Sequence, residues 1–230
     1  MLMADKDSIK KEYQDKIIKL EKHNELYYSK DKPLISDKEY DDLKLSILKL
    51  EKKYNFLNNK NSPSKKIGFK PSKNFQKQKH KVPMLSLSNI FDKEDLINFE
   101  KKIRNYLDFS TDQIFEYSVE PKIDGISASL TYKNGILEAG LSRGDGYEGE
   151  LITENLKTIK DIPKKIKFKD FPKNIEIRGE VYINKSDFEN FKDKFANPRN
   201  AASGSLRQKE SSETKKIPLK FVAYTFGFLK

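Results

Sequence analysis

Residues 126–143 constrain this chain more than any other stretch. Ile126, Ala128, Leu130 and Tyr132 alternate with small or polar residues, the period-two pattern of a strand with one buried face. Asn134-Gly135 follows, a pair that tolerates the positive φ angles of a tight hairpin turn, and Ile136 to Arg143 reads as the return strand. A second run is just as regular. Ile175, Ile177, Gly179, Val181 and Ile183 share one face, and Glu176, Arg178, Glu180 and Tyr182 share the other. The chain must therefore build antiparallel sheet with one apolar and one polar side. Phe115 to Pro121 reads as a further strand, and residues 218–228 as a last one with Val222, Tyr224 and Phe226 on one face.

Helical spacing dominates the beginning of the chain. Residues 6–29 form a charged amphipathic pattern with Ile9, Tyr13, Ile17, Leu20 and Tyr27 near one stripe, and Pro33 interrupts it. Ser36-Asp-Lys-Glu39 has the form of a capping box. Tyr40, Leu43, Ile47, Leu50 and Tyr54 follow at steps of three and four, so the two helices should pack as a hairpin. Around the turn lies a polar-aromatic cluster that a plain hairpin does not require: Tyr27, Tyr28, Asp31, Asp37, Tyr40 and Asp41. Later helices are expected over 93–107 and 152–159, and another capped by Ser186-x-x-Glu189 and ending near Phe195. The organisation read from these signals is a helical module over 1–60, a basic linker over 61–90 and an α+β domain over 91–230.

Charge sharpens that division. The net charge of +11 is concentrated in residues 61–90, which hold seven lysines, no acid, three prolines and Gly68. The flanking regions are each near +2. Such a stretch is a solvated linker, a segment attracted to phosphate backbones, or both. Arginine is scarce: of 46 basic residues, only Arg104, Arg143, Arg178, Arg199 and Arg207 are arginine. Those few are candidates for tasks that need a planar fork on phosphate or carboxylate. No cysteine is present, which excludes disulfides, thiol catalysis and zinc-cysteine sites from this chain. Two histidines, His23 and His80, are too few for an all-histidine metal site. No apolar run is long enough to span a bilayer, and the start lacks an apolar signal core.

The residues that carry chemistry centre on Glu120-Pro-Lys122-Ile-Asp124-Gly125. A lysine is a nucleophile only when its amine is neutral, which burial or nearby cations can arrange. Asp124 and Gly125 suggest a tight turn that would hold it, and Glu120, two residues earlier, would point the same way on an extended strand. Arg143 ends the hairpin, and a glycine-rich loop, Gly144 to Gly149, follows it. Glu180 lies on the polar face of a later strand and Tyr224 on the last one, a flat surface for a base. A lysine, acids for ribose or metal, arginines for phosphate and an aromatic platform together suit a nucleotide. Neither a Walker loop nor a dinucleotide-binding glycine fingerprint is present.

Several long strings also resemble one family. SVEPKIDGISASLTYKNGILEAGLSRGDGYEGELITENLKTIKDIP, together with HKVPMLSLSNIF (80–91), EIRGEVYI (176–183) and FANPRNAASGSLRQ (195–208), resembles the nucleotidyltransferase core of bacterial NAD-dependent DNA ligases. YYSKDKPLISDKEYDDL (27–43) is similar to that family's helical module for nicotinamide mononucleotide (NMN). The likeness runs over about residues 5–229. It implies an α+β fold in which a helical hairpin module precedes an ATP-grasp-like, antiparallel-sheet nucleotidyltransferase domain, incomplete at its C-terminus.

The resemblance also implies roles. Lys122 falls at the adenylated lysine. Glu120, Arg143 and Glu180 fall at contacts to the adenylate, Ser86 and Leu87 on the adenine side, and Tyr224 at the stacking aromatic. Tyr27, Asp37, Lys38, Glu39, Tyr40 and Asp41 fall on the nicotinamide side, and Arg199 and Arg207 in a loop that engages phosphate and nicked DNA. Asp124 and Gly125 support the turn. The implied cofactors are NAD and Mg²⁺, with Zn²⁺ confined to family segments beyond Lys230. The implied partner is nicked double-stranded DNA, with no membrane partner, for a monomer in the bacterial cytoplasm, associated with the nucleoid. Later family motifs are absent, so the sheet is expected to expose an edge, and this chain alone is expected to seal no nick and to self-adenylate weakly or not at all. Two other readings stay open on the residues: an ATP-dependent ligase or capping-type transferase, which also uses Lys-x-Asp-Gly, and a non-catalytic nucleic-acid-binding protein using the 61–90 lysines.

Overall fold

The computed structural model describes residues 2–28, 34–35, 37–57, 62, 75–87 and 89–230; of residues 2–5, 27, 28, 37 and 38 only the backbone is described. The break at Pro33, the Ser36 cap, Asp31 and the lysines at 65, 66, 70 and 73 lie outside the described residues. The chain divides into two compact units, residues 1–84 with 124–230, and residues 85–123.

In the first unit, the period-3.6 stripes become two helices, α1 (Leu2–Tyr28) and α2 (Asp37–Lys53). Leu20 and Ile47 are fully buried, the expected result of two apolar stripes meeting. Polar bonds fix their register: Tyr40 Oη donates to Asn24 Oδ1 at 2.6 Å, and Tyr13 Oη to Glu51 Oε1 at 2.7 Å. Buried Ser62 joins the second pair, accepting from Tyr13 Oη at 3.3 Å.

The sheet forms as the alternation demands. Strands β2 (Ile126–Lys133), β3 (Ile136–Ser142), β5 (Asn174–Tyr182) and β6 (Lys220–Leu229) pair antiparallel in the order β3-β2-β5-β6. The hairpin turn has φ of 50° at Asn134 and 75° at Gly135, the left-handed values that Asn-Gly accommodates. Ala128, Leu130, Tyr132 and Val181 face a core completed by Ile152, Leu156, Ile159, Phe188, Ala201, Ala202 and Leu206 from the helical segments and the chain flanking them. Those segments are α4 (Thr153–Leu156), α5 (Lys185–Phe188), α6 (Pro198–Leu206) and α7 (Ser211–Thr214).

Three expectations need correction here. Residues 76–84 are not free linker. Strand β1 (Lys77–Lys79) pairs with β4 (Glu148–Glu150), and Lys81 Nζ sits 4.1 Å from the Phe228 ring centroid. Lysine-rich sequence hides a strand whose ladder partner lies seventy residues away. The helix expected from Ser186 begins instead at Lys185 with Asn184 as its N-cap residue, and turns into a short 3-10 segment after Phe188. The stretch read as a loop around Arg199 and Arg207 contains α6, started by Asn197, whose side chain accepts from Asn200 N at 2.7 Å, with Pro198 at the first helical position.

The second unit is built on α3 (Lys93–Leu107), capped by Asp92, whose Oδ1 accepts from Asp95 N at 2.8 Å. Arg104 ties the following chain to the helix. Its guanidinium holds Glu100 Oε1 and the carbonyls of Ser110 and Gln113, the latter two at 2.8 Å each, and lies 4.4 Å from the Phe115 ring centroid. The strand expected over 115–121 does not form: residues 113–124 carry no regular structure. Period-two alternation marks a face, but a strand also needs a neighbour to take its N–H and C=O groups, and among the described residues none pairs with this segment.

Candidate active site

Chemistry-bearing groups of the first unit gather on the polar face of the sheet. β2 and β5 are paired so that Ser127 opposes Glu180 and Ser129 opposes Arg178. Residues opposite one another share a face. Ser127 Oγ accordingly donates to Glu180 Oε2 at 2.8 Å.

Tyr224 reaches the same place by a local irregularity. Arg178 pairs with Thr225 and Gly179 with Ala223, so Tyr224 is the extra residue of a β-bulge in β6. A bulge re-aims its side chain. Burial pushes the Tyr224 phenol above its ordinary 10.0; a hydrogen bond with Ser127 lowers it, the Glu180 charge raises it, and Arg143 and Arg178 lower it. Those influences place Arg143, Glu180, Ser127 and Tyr224 in one electrostatic neighbourhood. Ser127 carries no catalytic signature in the sequence. Only the register of β2 against β5 brings it here.

The arrangement needs close backbone approach at Gly125. A side chain there would put Cβ 2.2 Å from the Val181 carbonyl oxygen and 3.0 Å from Glu180 Cγ. Glycine is therefore required for the turn at Asp124-Gly125 to lie against β5. Arg143 stands at the end of β3, where the chain turns through Gly144 at φ 59°; Gly146 N closes the turn on the Arg143 carbonyl at 3.0 Å. Asp145 Oδ1 accepts from the Tyr147 and Glu148 amides at 2.9 Å each, which stiffens the loop from within.

Arg178, an arginine of that polar face, is engaged elsewhere. It forms a buried pair with Glu176, Nε to Oε1 at 2.7 Å, and its two terminal nitrogens donate to the Val82 and Pro83 carbonyls at 2.6 and 3.1 Å. Each of its nitrogens is thus engaged, Nε on Glu176 and the two terminal ones on the segment that leads to Ser86. A side chain at Gly227 would put Cβ 2.4 Å from Glu176 Oε1, so that glycine makes room for the pair.

Ser86, Leu87, Glu120 and Lys122 belong to the second unit, where each is exposed. Glu120 Oε1 accepts from Ser118 Oγ at 3.3 Å. The division between the units falls between Ile123 and Asp124, inside the Lys122-Ile-Asp-Gly125 motif.

The sequence model of the NAD-dependent DNA ligase adenylation domain matches residues 72–230, well over half of the chain. The chain belongs to that family. Residues 6–68 match the DNA ligase-like, N-terminal NAD⁺-binding domain. The chain is 64% identical over 228 residues to a DNA ligase of Pelagibacter ubique, covering 99% of this chain and 34% of that protein. It is 53% identical over 220 residues to a DNA ligase of Rickettsia bellii, covering 92% and 31%. A DNA ligase of Parvibaculum lavamentivorans is 50% identical over 216 residues, 90% of this chain and 30% of that protein. The chain thus spans about a third of the length of the curated relatives it matches.

Within the adenylation domain, the two arginines assigned to phosphate and DNA meet carboxylates. Arg199 Nη1 donates to Asp124 Oδ1 at 3.0 Å, and Arg207 Nε to Glu150 Oε2 at 3.2 Å. Glu150 is buried on β4, so Arg207 compensates a charge that would otherwise be costly to bury. In the NAD⁺-binding domain, Tyr40, Asp41 and Glu39 lie on the first turns of α2, with Tyr40 oriented by Asn24. Asp37 and Lys38 begin that helix and Tyr27 lies in the last turn of α1; their side chains are outside the described residues. Among the described residues, no three His, Asp or Glu side chains cluster as metal ligands, and no helix is long and apolar enough to cross a membrane.

Proposed function

We propose that this chain carries the NAD-binding and self-adenylation steps of an NAD-dependent DNA ligase, on a nucleotidyltransferase fold of the ATP-grasp-like kind. The observation that carries the reading is the neighbourhood that Arg143, just past β3, shares with Glu180 and Tyr224 of the sheet, beside Asp124-Gly125, which follow Lys122-Ile123 in sequence. An aromatic ring, a carboxylate and a guanidinium suit a base, a ribose hydroxyl and a phosphate; strand register sets the spacing of the first two, and the turn after β3 holds the third.

In this reading Tyr224 stacks on adenine, Ser86 and Leu87 line the adenine side, Glu180 accepts from the ribose and Arg143 neutralises phosphate. The neutral Lys122 amine attacks the α-phosphorus of NAD. The nitrogen–phosphorus bond forms as the bond to the bridging oxygen of NMN breaks, NMN leaves with the electron pair, and Lys122 loses a proton to solvent. Glu120 orients the lysine. Tyr27, Asp37, Lys38, Glu39, Tyr40 and Asp41 hold NMN so that its oxygen departs in line, which phosphoryl transfer requires. AMP then passes to the 5′-phosphate of nicked double-stranded DNA, and the adjacent 3′-hydroxyl displaces it. Arg199 and Arg207 lie on the DNA side. Mg²⁺ belongs to the proposal through the phosphates. Because the described residues form no acidic cage, no step is routed through it. The setting is the replication and repair chemistry of a monomeric protein in the bacterial cytoplasm.

Intact mass spectrometry after incubation with NAD tests the reading. The expected result is calorimetric NAD binding with at most a weak AMP adduct, absent from Lys122→Ala, with ATP giving none. An adduct formed from ATP instead, an adduct retained in Lys122→Ala, or the absence of both adduct and calorimetric NAD binding would overturn it.

A further inference from the structure

We propose that His80 is a positioning residue for Arg143, and through it for the phosphate side of the nucleotide. The proposal rests on the reading of Arg143 given above, but its structural half stands alone. His80 Nε2 lies 3.0 Å from the Arg143 carbonyl oxygen. A carbonyl can only accept, so Nε2 carries the hydrogen and donates it. The same carbonyl accepts from Gly146 N at 3.0 Å, which occupies both of its lone-pair directions. The peptide that follows the Arg143 side chain is thereby held from two sides.

The rest of the loop is built around the imidazole. His80 N donates to the Tyr147 carbonyl and Met84 N to the Gly146 carbonyl, each at 2.8 Å. β1, immediately before His80, pairs with β4, immediately after the loop. Gly149 gives the ring its space: a Cβ there would stand 3.1 Å from Nε2 and 1.8 Å from the Ser142 carbonyl oxygen. Among the described residues Nδ1 is buried without a hydrogen-bond partner, and the ring's one polar engagement there is with Arg143. An imidazole seated for packing alone would not need its donor aimed at the one carbonyl adjoining the phosphate-binding arginine. Nor would a linker residue, as residues 61–90 read from composition, be enclosed by the loop it reaches.

The experiment compares His80→Gln, whose amide nitrogen falls near the position of Nε2, with His80→Leu, which keeps bulk without a donor, and His80→Asn, whose donor falls short. NAD affinity is measured by calorimetry, and amide exchange is followed at Gly146, with β2 amides as the control for folding. Loss of the donor is expected to weaken NAD binding about tenfold in the Leu and Asn variants, the effect of one hydrogen bond near a charged contact. Gly146 exchange should accelerate while β2 protection is kept, and Gln should restore both. In an Arg143→Ala background, His80→Leu should cause no further loss of affinity. The proposal is overturned by Gln behaving like Leu, by full affinity in His80→Leu, or by independent losses in the double variant. Should the unaltered chain bind no NAD, the adenylation reading fails, and Gly146 exchange alone then decides whether His80 holds Arg143.

Discussion

Residues 115–121 and 126–133 look alike as sequence and differ entirely as structure. Both alternate apolar and polar side chains between turn signals. The second became β2, hydrogen-bonded along both edges to β3 and β5, with Leu130 1% exposed. The first has no regular structure, and Val119 is 91% exposed. Alternation specifies which side chains share a face, but it does not supply the neighbour that satisfies the backbone. The contrast bears on function, because the region with its own sheet carries Arg143, Glu180 and Tyr224, whereas the region without one carries Lys122. The face proposed to bind the nucleotide is largely preformed by register. The segment of the proposed nucleophile depends within its own unit on α3 and the Arg104 fork.

The strongest test of that contrast removes Glu176, which is 2% exposed and paired with Arg178. Glu176→Ala should destabilise the sheet by about 3–5 kcal/mol, because a buried guanidinium is left without its carboxylate. The denaturant midpoint measures it, and an unchanged midpoint would mean that the polar face is wetter than its burial indicates. Next comes a matched pair. Leu130→Ala should cost about 2–5 kcal/mol by opening a cavity, and Val119→Ala less than about 0.5 kcal/mol. Equal losses in the two variants would erase the distinction between the segments.

A third test uses Tyr132, whose hydroxyl donates to the Pro163 carbonyl at 2.7 Å and whose burial raises its pKa from 10.0 to about 12. The native state then holds the phenolic proton more tightly than the unfolded chain. This contribution is complete below pH 10 and is lost as pH rises through about 12. Stability should fall across that window by about 2–3 kcal/mol more in the unaltered chain than in Tyr132→Phe, the difference removing the common lysine titration. The smallest effect concerns the other unit: Asp92→Ala removes the cap of α3 and should cost about 1 kcal/mol. Amide exchange should then accelerate in 93–107 while β2 and β5 keep their protection. Acceleration in both would mean that the two units unfold as one.

Much of the framework was legible because its signals are short-range. The Asn134-Gly135 turn, the stripes of α1 and α2, the two faces of β5 and the start of α3 each follow from residues within a few positions of one another. The helix at Pro198 reads as loop in the sequence, although Asn197-Pro198 is a cap followed by a first-turn proline, because its small residues, Ala201, Ala202 and Gly204, mask the helical stripe. The candidate site was half legible. Its arginines and acids could be nominated, but not their engagements. Arg178 was a candidate for phosphate or carboxylate until its fork met Glu176, Val82 and Pro83, and His80 looked like part of a linker until its ring met the Arg143 carbonyl.

By itself, then, the sequence determined the four long strands, the Asn134-Gly135 hairpin, the family and the identity of Lys122 as its nucleophile candidate, because periodicity, turn chemistry and motifs are written in neighbouring residues. Tertiary structure alone decided that Tyr224 bulges out of β6, that Ser127 meets Glu180, that Gly125 lies against Val181, and which arginines are already committed to a carboxylate. Those outcomes depend on register and close approach between segments tens of residues apart, and a pairing that distant leaves no local trace to be read.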